Sequence, residues 1–166
     1  EQNLAFHNSG DLRFDDVSKT WGLDHTGMSF AATSADFDGD GDPDLVVVSM
    51  DEPAKIYRNN TADGHRLSIR LVGKESNRFG LGARIEITDG TEIKQRWLRS
   101  LSGFKSGDQP LAHFGVGRSK KLQATISWPS GIVQKVDHLV PGKRYTITES
   151  GPKKTRATPP PSLFKQ

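Results

Sequence analysis

The segment Asp36-Phe37-Asp38-Gly39-Asp40-Gly41-Asp42-Pro43-Asp44 carries a carboxylate at every odd position. Acids this close repel one another unless a cation sits among them. Hard oxygen donors at such density suit Ca²⁺, which takes about six to eight oxygens at flexible angles, better than Mg²⁺, which keeps more of its water. Gly41 permits the sharp turn that brings both halves of the loop round one ion. The expected ligands are side-chain oxygens of Asp36, Asp38, Asp40 and Asp44 and the main-chain carbonyl of Asp42. The residue where an EF-hand places its bidentate Glu is Val47, and the following Leu45–Ser49 reads as strand, not helix. With Phe30–Thr33 also reading as strand, the pattern is a strand–loop–strand cation site. Its alternative is an Asp-rich turn that holds no specific ion.

Other candidate chemistry is weaker. Gly80-Leu81-Gly82 and Gly115-Val116-Gly117 precede no helical pattern, so they lack the helix N-terminus that would hold a phosphate and read as turn glycines. Ser102, Asp108 and His113 can be set out as a triad on paper, but no nucleophile elbow accompanies them. His113 reads as a hydrogen-bonded structural residue. Asp15 and Asp16 are adjacent and would point to opposite faces of a strand, which is poor geometry for a paired acid and base. Trp97 in Lys94-Gln95-Arg96-Trp97-Leu98-Arg99 is the candidate for ring stacking on a ligand, with Arg84 and Arg96 as cationic neighbours. Trp128 shares an alternation with Leu122, Ala124 and Ile126 and reads as core.

The elements that must position these residues are strands. His65–Val72, Ala83–Thr88, Leu122–Trp128 and Arg144–Glu149 alternate apolar and polar residues, and Glu92–Leu98, Leu111–Val116 and Ile132–Val136 are further candidates. Gly and Pro punctuate the gaps. Only Asp16–Leu23 has the pattern of a short helix. The expected fold is all-β: one propeller-type blade with a calcium loop, packed on or linked to an antiparallel β-sandwich. A faint repeat supports the blade, since Ala5-Phe6-His7-Asn8-Ser9 is similar to Ile56-Tyr57-Arg58-Asn59-Asn60 at an offset of 51 residues, a period suited to one four-stranded blade.

The chain's 166 residues and net charge of +3 hide a division. Residues 1–64 hold 13 acidic and 4 basic side chains, whereas 65–149 hold 7 acidic and 15 basic. The shift marks a boundary near Ala62–His65 and invites the two units to dock by charge. The expected units are therefore 1–64, the blade, 65–149, the sandwich, and 150–166, a flexible tail rich in Pro and Lys. Arg66, Arg70, Arg84, Lys94, Arg96 and Arg99 are expected on one outward basic face. The absence of cysteine excludes disulfides, thiolate metal sites and Cys nucleophiles. The longest apolar run, Leu45–Val48, is too short to cross a bilayer, so no membrane insertion is expected. Nucleic acid is not expected either, because no recognition motif accompanies the basic residues.

The segment Ser34 to Leu45 resembles the FG-GAP/VCBS repeat, the calcium-loop blade of integrin-α-type propellers. Phe6-His7-Asn8 and Tyr57-Arg58-Asn59 resemble that repeat's aromatic–Arg–Asn strand, and Leu12 to Ser18 its hairpin return. Residues 65–149 resemble the ASPIC/UnbV domain through Gly80-Leu81-Gly82-Ala83-Arg84, Ser102-Gly103-Phe104, His113-Phe114-Gly115-Val116-Gly117 and Trp128-Pro129-Ser130-Gly131, in that order. This is the arrangement of the cartilage acidic protein family. Lys105-Ser106-Gly107-Asp108 departs from it, standing where the family has a more apolar stretch. The resemblance implies a secreted or cell-surface protein (periplasmic or extracellular) with a calcium-stabilised blade, and it carries over no catalytic activity. The expected function is a non-catalytic, calcium-binding extracellular module for adhesion or ligand binding, its partner a protein or a glycan. The alternative is a carbohydrate-binding accessory domain of a larger secreted enzyme. Edge-to-edge pairing of exposed blades into a homodimer is a further expectation.

Overall fold

The structure, a computed structural model, describes residues 1–61, 65–101 and 103–152. The junction at 62–64, Ser102 of the paper triad, and the expected tail from 153 onward lie outside the described residues. Within them the chain is all-β, with no helix. The strands are β1 (Phe6–Gly10), β2 (Arg13–Asp16), β3 (Ser29–Ala35), β4 (Asp44–Ser49), β5 (Lys55–Tyr57), β6 (His65–Val72), β7 (Arg84–Thr88), β8 (Ile93–Trp97), β9 (Leu111–Gly117), β10 (Leu122–Ser127), β11 (Val133–Leu139) and β12 (Arg144–Thr148).

Strands β6 to β12 form two sheets, ordered β11-β10-β7-β8 and β12-β6-β9. Their alternating sequences turn one apolar face of each sheet inward. Leu67, Ile69 and Leu71 from β6 meet Ile85 and Ile87 from β7, Ile126 from β10 and Phe114 from β9, all of them buried. Trp128 lies in this core, its indole N–H donating to Gln134 Oε1 at 2.9 Å. Antiparallel pairing prevails, but β12 runs parallel to β6, with Tyr145 opposite Ile69 and Ile147 opposite Leu71. The polypeptide between β6 and β12 supplies the long crossover that a parallel pair requires.

Residues 1–57 do not make one four-stranded blade, as the repeat period suggests they should. They divide into a hairpin, β1-β2, and a three-stranded sheet, β3-β4-β5. The two copies of the faint repeat explain the division, since one falls on β1 and the other begins on β5. The hairpin therefore corresponds to the end of one repeat, and β3–β5 to the start of the next. Shifting β2 by the repeat offset lands on the start of β6, which is drawn instead into the sandwich by Leu67, Ile69 and Leu71. Strand β5 is left at an edge, with Ile56 exposed at 72%.

The expected helix at Asp16–Leu23 is a single closed turn. Trp21 N–H donates to the Val17 carbonyl at 2.9 Å and Leu23 N–H to that of Ser18 at 2.8 Å. Asp16 is still in strand β2, and Gly22, with φ +68°, reverses the chain only six residues later. That leaves no length for a helix.

Gly80 and Gly82 serve a turn. Gly80 has φ +65°, and a Cβ there would stand 2.7 Å from Leu71 Cβ in the core. Gly80→Ala should destabilise the fold by about 2–3 kcal/mol through backbone strain and overpacking. Urea denaturation checks this, and a loss no larger than that of an exposed-surface Gly→Ala change would refute the packing account.

Candidate metal centre

Strands β3 and β4 are hydrogen-bonded from Ser29↔Ser49 to Ala35↔Asp44, so the acidic loop between them is held at both ends by the sheet. Gly39 and Gly41 take left-handed backbone (φ +81° and +99°), which lets the loop fold back on itself. One carboxylate oxygen from each of Asp36, Asp38 and Asp40 lies within 4.8 Å of those of the other two. Oxygens on opposite sides of a Ca²⁺ ion stand about 5 Å apart, so the three fit one coordination shell. Each also caps the loop's own backbone: Gly39 N–H donates to Asp36 Oδ1 at 2.7 Å, Asp40 N–H to Asp38 Oδ1 at 3.2 Å and Asp42 N–H to Asp40 Oδ1 at 3.1 Å.

Asp42 and Asp44 do not join this cluster. Asp44 is buried, and its two oxygens accept the Phe37 N–H (3.0 Å) and the Asn59 N–H (2.8 Å), which ties the loop's entry to the chain beyond β5. Asp42 turns its Oδ2 to Arg66, while its Oδ1 is buried without a hydrogen-bond partner. Asp42 therefore has its main-chain carbonyl and one unpartnered side-chain oxygen left to offer.

Sequence reasoning missed the arginines that answer the loop, although the charge division was their signal. Arg58 lies 2.7 Å from Asp38, Arg144 of β12 lies 2.6 Å from Asp36, and Arg66 of β6 holds Asp42. Two of the three come from the sandwich. They stand on the outward face of sheet β12-β6-β9, where Arg144, Ser68 and His113 lie in register across the three strands. Burial holds the His113 imidazole below its ordinary pKa, against the Gly41 carbonyl and the Asp36 carboxylate, which favour the charged form. A second tie joins the units through Asp108, whose Oδ1 accepts the Ser34 N–H at 2.8 Å and the Thr33 hydroxyl at 3.2 Å. The acidic and basic units therefore dock on each other through paired charges and hydrogen bonds.

The six basic residues expected on one face are spread over several. Arg66 and Arg70 lie on β6. Arg84 sits opposite Trp97 on the outward face of β7-β8, its guanidinium 6.0 Å from the indole ring. Lys94 and Arg96 sit opposite Ile87 and Ile85, on the inward side of edge strand β8. Strict alternation cannot foresee this, because an edge strand tolerates inward-pointing charge where the facing sheet stops short of it. Trp97 is half exposed, but Arg96 points away from it to lie over the Phe114 ring at 5.8 Å. The structure thus joins Trp97 to Arg84 and separates both from the Arg96 side chain.

A second missed residue is Glu149. Its side chain continues the inward alternation of Tyr145 and Ile147 and is 2% exposed. Its Oε2 accepts the N–H groups of Lys74 (2.7 Å), Glu75 (2.8 Å) and Ser76 (2.8 Å), and its Oε1 accepts the hydroxyls of Ser76 and Ser130. Burial alone would raise its pKa, but these donors outweigh it and hold the carboxyl down at about 2. The signal was a charged residue at an apolar phase of a strand.

Comparison with known proteins agrees with this architecture. The FG-GAP-like repeat model matches residues 1–47 and 36–89, together more than half of the chain, and the ASPIC and UnbV model matches 73–154. Cartilage acidic protein 1 of Mus musculus is 30% identical over 129 residues, covering 74% of this chain and 20% of that protein. Cartilage acidic protein 1 of Homo sapiens is 29% identical over 129 residues, covering 74% and 19%. The chain thus spans about a fifth of the length of these relatives. The two repeat matches overlap at residues 36–47, the acidic loop and the start of β4. The chain belongs to the FG-GAP-like repeat family and carries an ASPIC and UnbV domain behind its repeats.

Proposed function

We propose that this chain is a non-catalytic, calcium-binding module of a secreted or cell-surface protein, in which a unit at 1–64, made of parts of two FG-GAP-like repeats, presents a loop-stiffened surface beside a β-sandwich at 65–149. The observation that carries the reading is the convergence of Asp36, Asp38 and Asp40 on one point of a glycine-turned loop. Asp36, Asp38 and Asp40 would hold the ion by side-chain oxygens and Asp42 by its carbonyl, while Asp44 fixes the loop's ends. Calcium's contribution is structural: it neutralises the loop and fixes the turn between β3 and β4. No described helix is long and apolar enough to cross a membrane, which accords with display outside the bilayer. Calorimetric titration of the EDTA-stripped protein tests the reading. Saturable uptake of about one Ca²⁺ per chain supports it, and absence of heat and of any melting shift overturns it.

Arg144 couples that loop to the sandwich. The Asp36 side chain it pairs with is fully buried. Arg144→Gln should cost about 2 kcal/mol in EDTA, because a buried carboxylate loses its partner, and less in calcium, where the cation takes over the neutralising role. Denaturation in both buffers checks this; equal losses would separate Arg144 from the metal loop.

The exposed Trp97 beside Arg84 favours one second reading, a carbohydrate-binding accessory domain that stacks a sugar ring on the indole. Saturable quenching of tryptophan fluorescence by a polysaccharide, lost in Trp97→Ala, would support it.

A further inference from the structure

A cleft of about 690 Å³ runs between the calcium-loop side of the blade and the sandwich. One wall is β9, and it contributes consecutive residues, Leu111 to Gly115. Successive residues of a strand face opposite ways. A cleft touched by all of them follows the edge of the strand and not one of its faces. Among the described strands β9 pairs only with β6, so its other edge carries a row of main-chain groups with no sheet partner. Just past the middle of that edge is Gly115, where an added Cβ would meet nothing within 4 Å.

The opposite wall carries the inward-pointing cations of β8, Lys94 and Arg96. Arg96 has no ion-pair partner among the described residues, and Lys94 reaches only the exposed Glu92, at 3.6 Å. The carboxylates that line the cleft are already engaged, Asp42 by Arg66 and Asp108 by Thr33 and Ser34. With Arg66, Lys94 and Arg96 in the lining against Asp42 and Asp108, the balance that meets a ligand is positive.

We propose that the cleft is a docking groove for an extended acidic peptide, which adds to the free edge of β9 as a further strand of sheet β12-β6-β9. Main-chain hydrogen bonds to β9 give affinity, and side chains at alternate positions give selectivity. The residues of the added strand that turn inward meet Lys94 and Arg96, so the peptide carries Asp or Glu at every second position. At about 3.3 Å per residue, β9 seats roughly six residues of it. The proposal rests on reading the chain as a ligand-binding module, and it names the ligand's class.

The probe is a fluorescein-labelled peptide of alternating Thr and Glu, read by anisotropy, with amide hydrogen exchange of the protein followed by NMR. Saturable binding with slowed exchange within residues 111–117 is the expected result. Replacing Glu by Lys in the probe, or Arg96→Glu in the protein, should weaken binding about tenfold or more. Gly115→Leu, whose Cβ would meet nothing within 4 Å, should crowd the groove and weaken binding at least about tenfold. Binding that survives Gly115→Leu unchanged, or that leaves exchange in β9 untouched, overturns the proposal. So does saturable binding of a sulfated oligosaccharide where the peptide has no effect, or sedimentation showing a dimer whose β9 amides are already protected. A parallel calcium titration separates the two ideas. Calcium uptake without peptide binding overturns the groove alone, whereas peptide binding without calcium uptake overturns the calcium reading and upholds the groove.

Discussion

Glu149→Ala should lower the unfolding free energy by about 2–4 kcal/mol, because it strands the part-buried N–H donors of Lys74, Glu75 and Ser76 together with two hydroxyls. Glu149→Gln keeps the shape but presents an amide nitrogen to donors on one side, and should cost roughly half as much. The pH dependence gives the effect a second signature. The folded carboxyl titrates at about 2, against an ordinary value of 4.5, so the folded state binds fewer protons than the unfolded state between those values. Its contribution is complete above pH 4.5 and is lost as pH falls toward 2. The wild type should therefore lose stability across that window more steeply than Glu149→Gln. Urea midpoints measured from pH 6 to pH 2 test this, and parallel curves for the two proteins would remove the carboxylate from the account.

The second large effect concerns the acidic loop. Calcium at about 100 times its dissociation constant should stabilise the native chain by about 2.7 kcal/mol, since the unfolded chain does not assemble the site. For a protein of this length that raises the melting temperature by roughly 5–10 °C. Asp40→Ala should abolish the gain. Asp40 is the informative position because it has no arginine partner among the described residues, whereas Asp36 and Asp38 do. In EDTA the same variant loses one hydrogen bond from Asp42 N–H and relieves some repulsion, so its stability should hardly change. Equal melting shifts with and without calcium would mean that Asp40 serves the turn and no ion.

Much of this was legible in the residues themselves. The strand positions of the sandwich follow from alternation, because the inward phase of each strand is apolar and buried nearly without exception. Glu149 is one exception and Lys94 and Arg96 on edge strand β8 are others, and a phase argument finds them only if a charged residue on the apolar side is treated as information. The loop's carboxylates were evident from spacing, but their division into Asp36, Asp38 and Asp40 on one side and Asp42 and Asp44 on the other was not. It depends on donors from Asn59 and Arg66, far along the chain. The charge imbalance between the units foretold their docking without naming the pairs. The blade's incompleteness was masked by its own repeat, since periodicity counts strands without saying which sheet will claim them. Strand β6 has the position of a blade strand and the apolar face of a sandwich strand, and burial decided the contest.

The parallel pairing of β6 with β12 has a mechanical meaning. These strands are the first and last of the sandwich and lie side by side, with Arg144 opposite Ser68 and Thr148 opposite Val72. Tension applied between the start of β6 and the end of β12 pulls the two strands past each other lengthwise. Every rung of the ladder then bears load at once, whereas a hairpin pulled from its open end would unzip rung by rung. Stretched between residues 65 and 149, the sandwich is thus clamped along the line of pull.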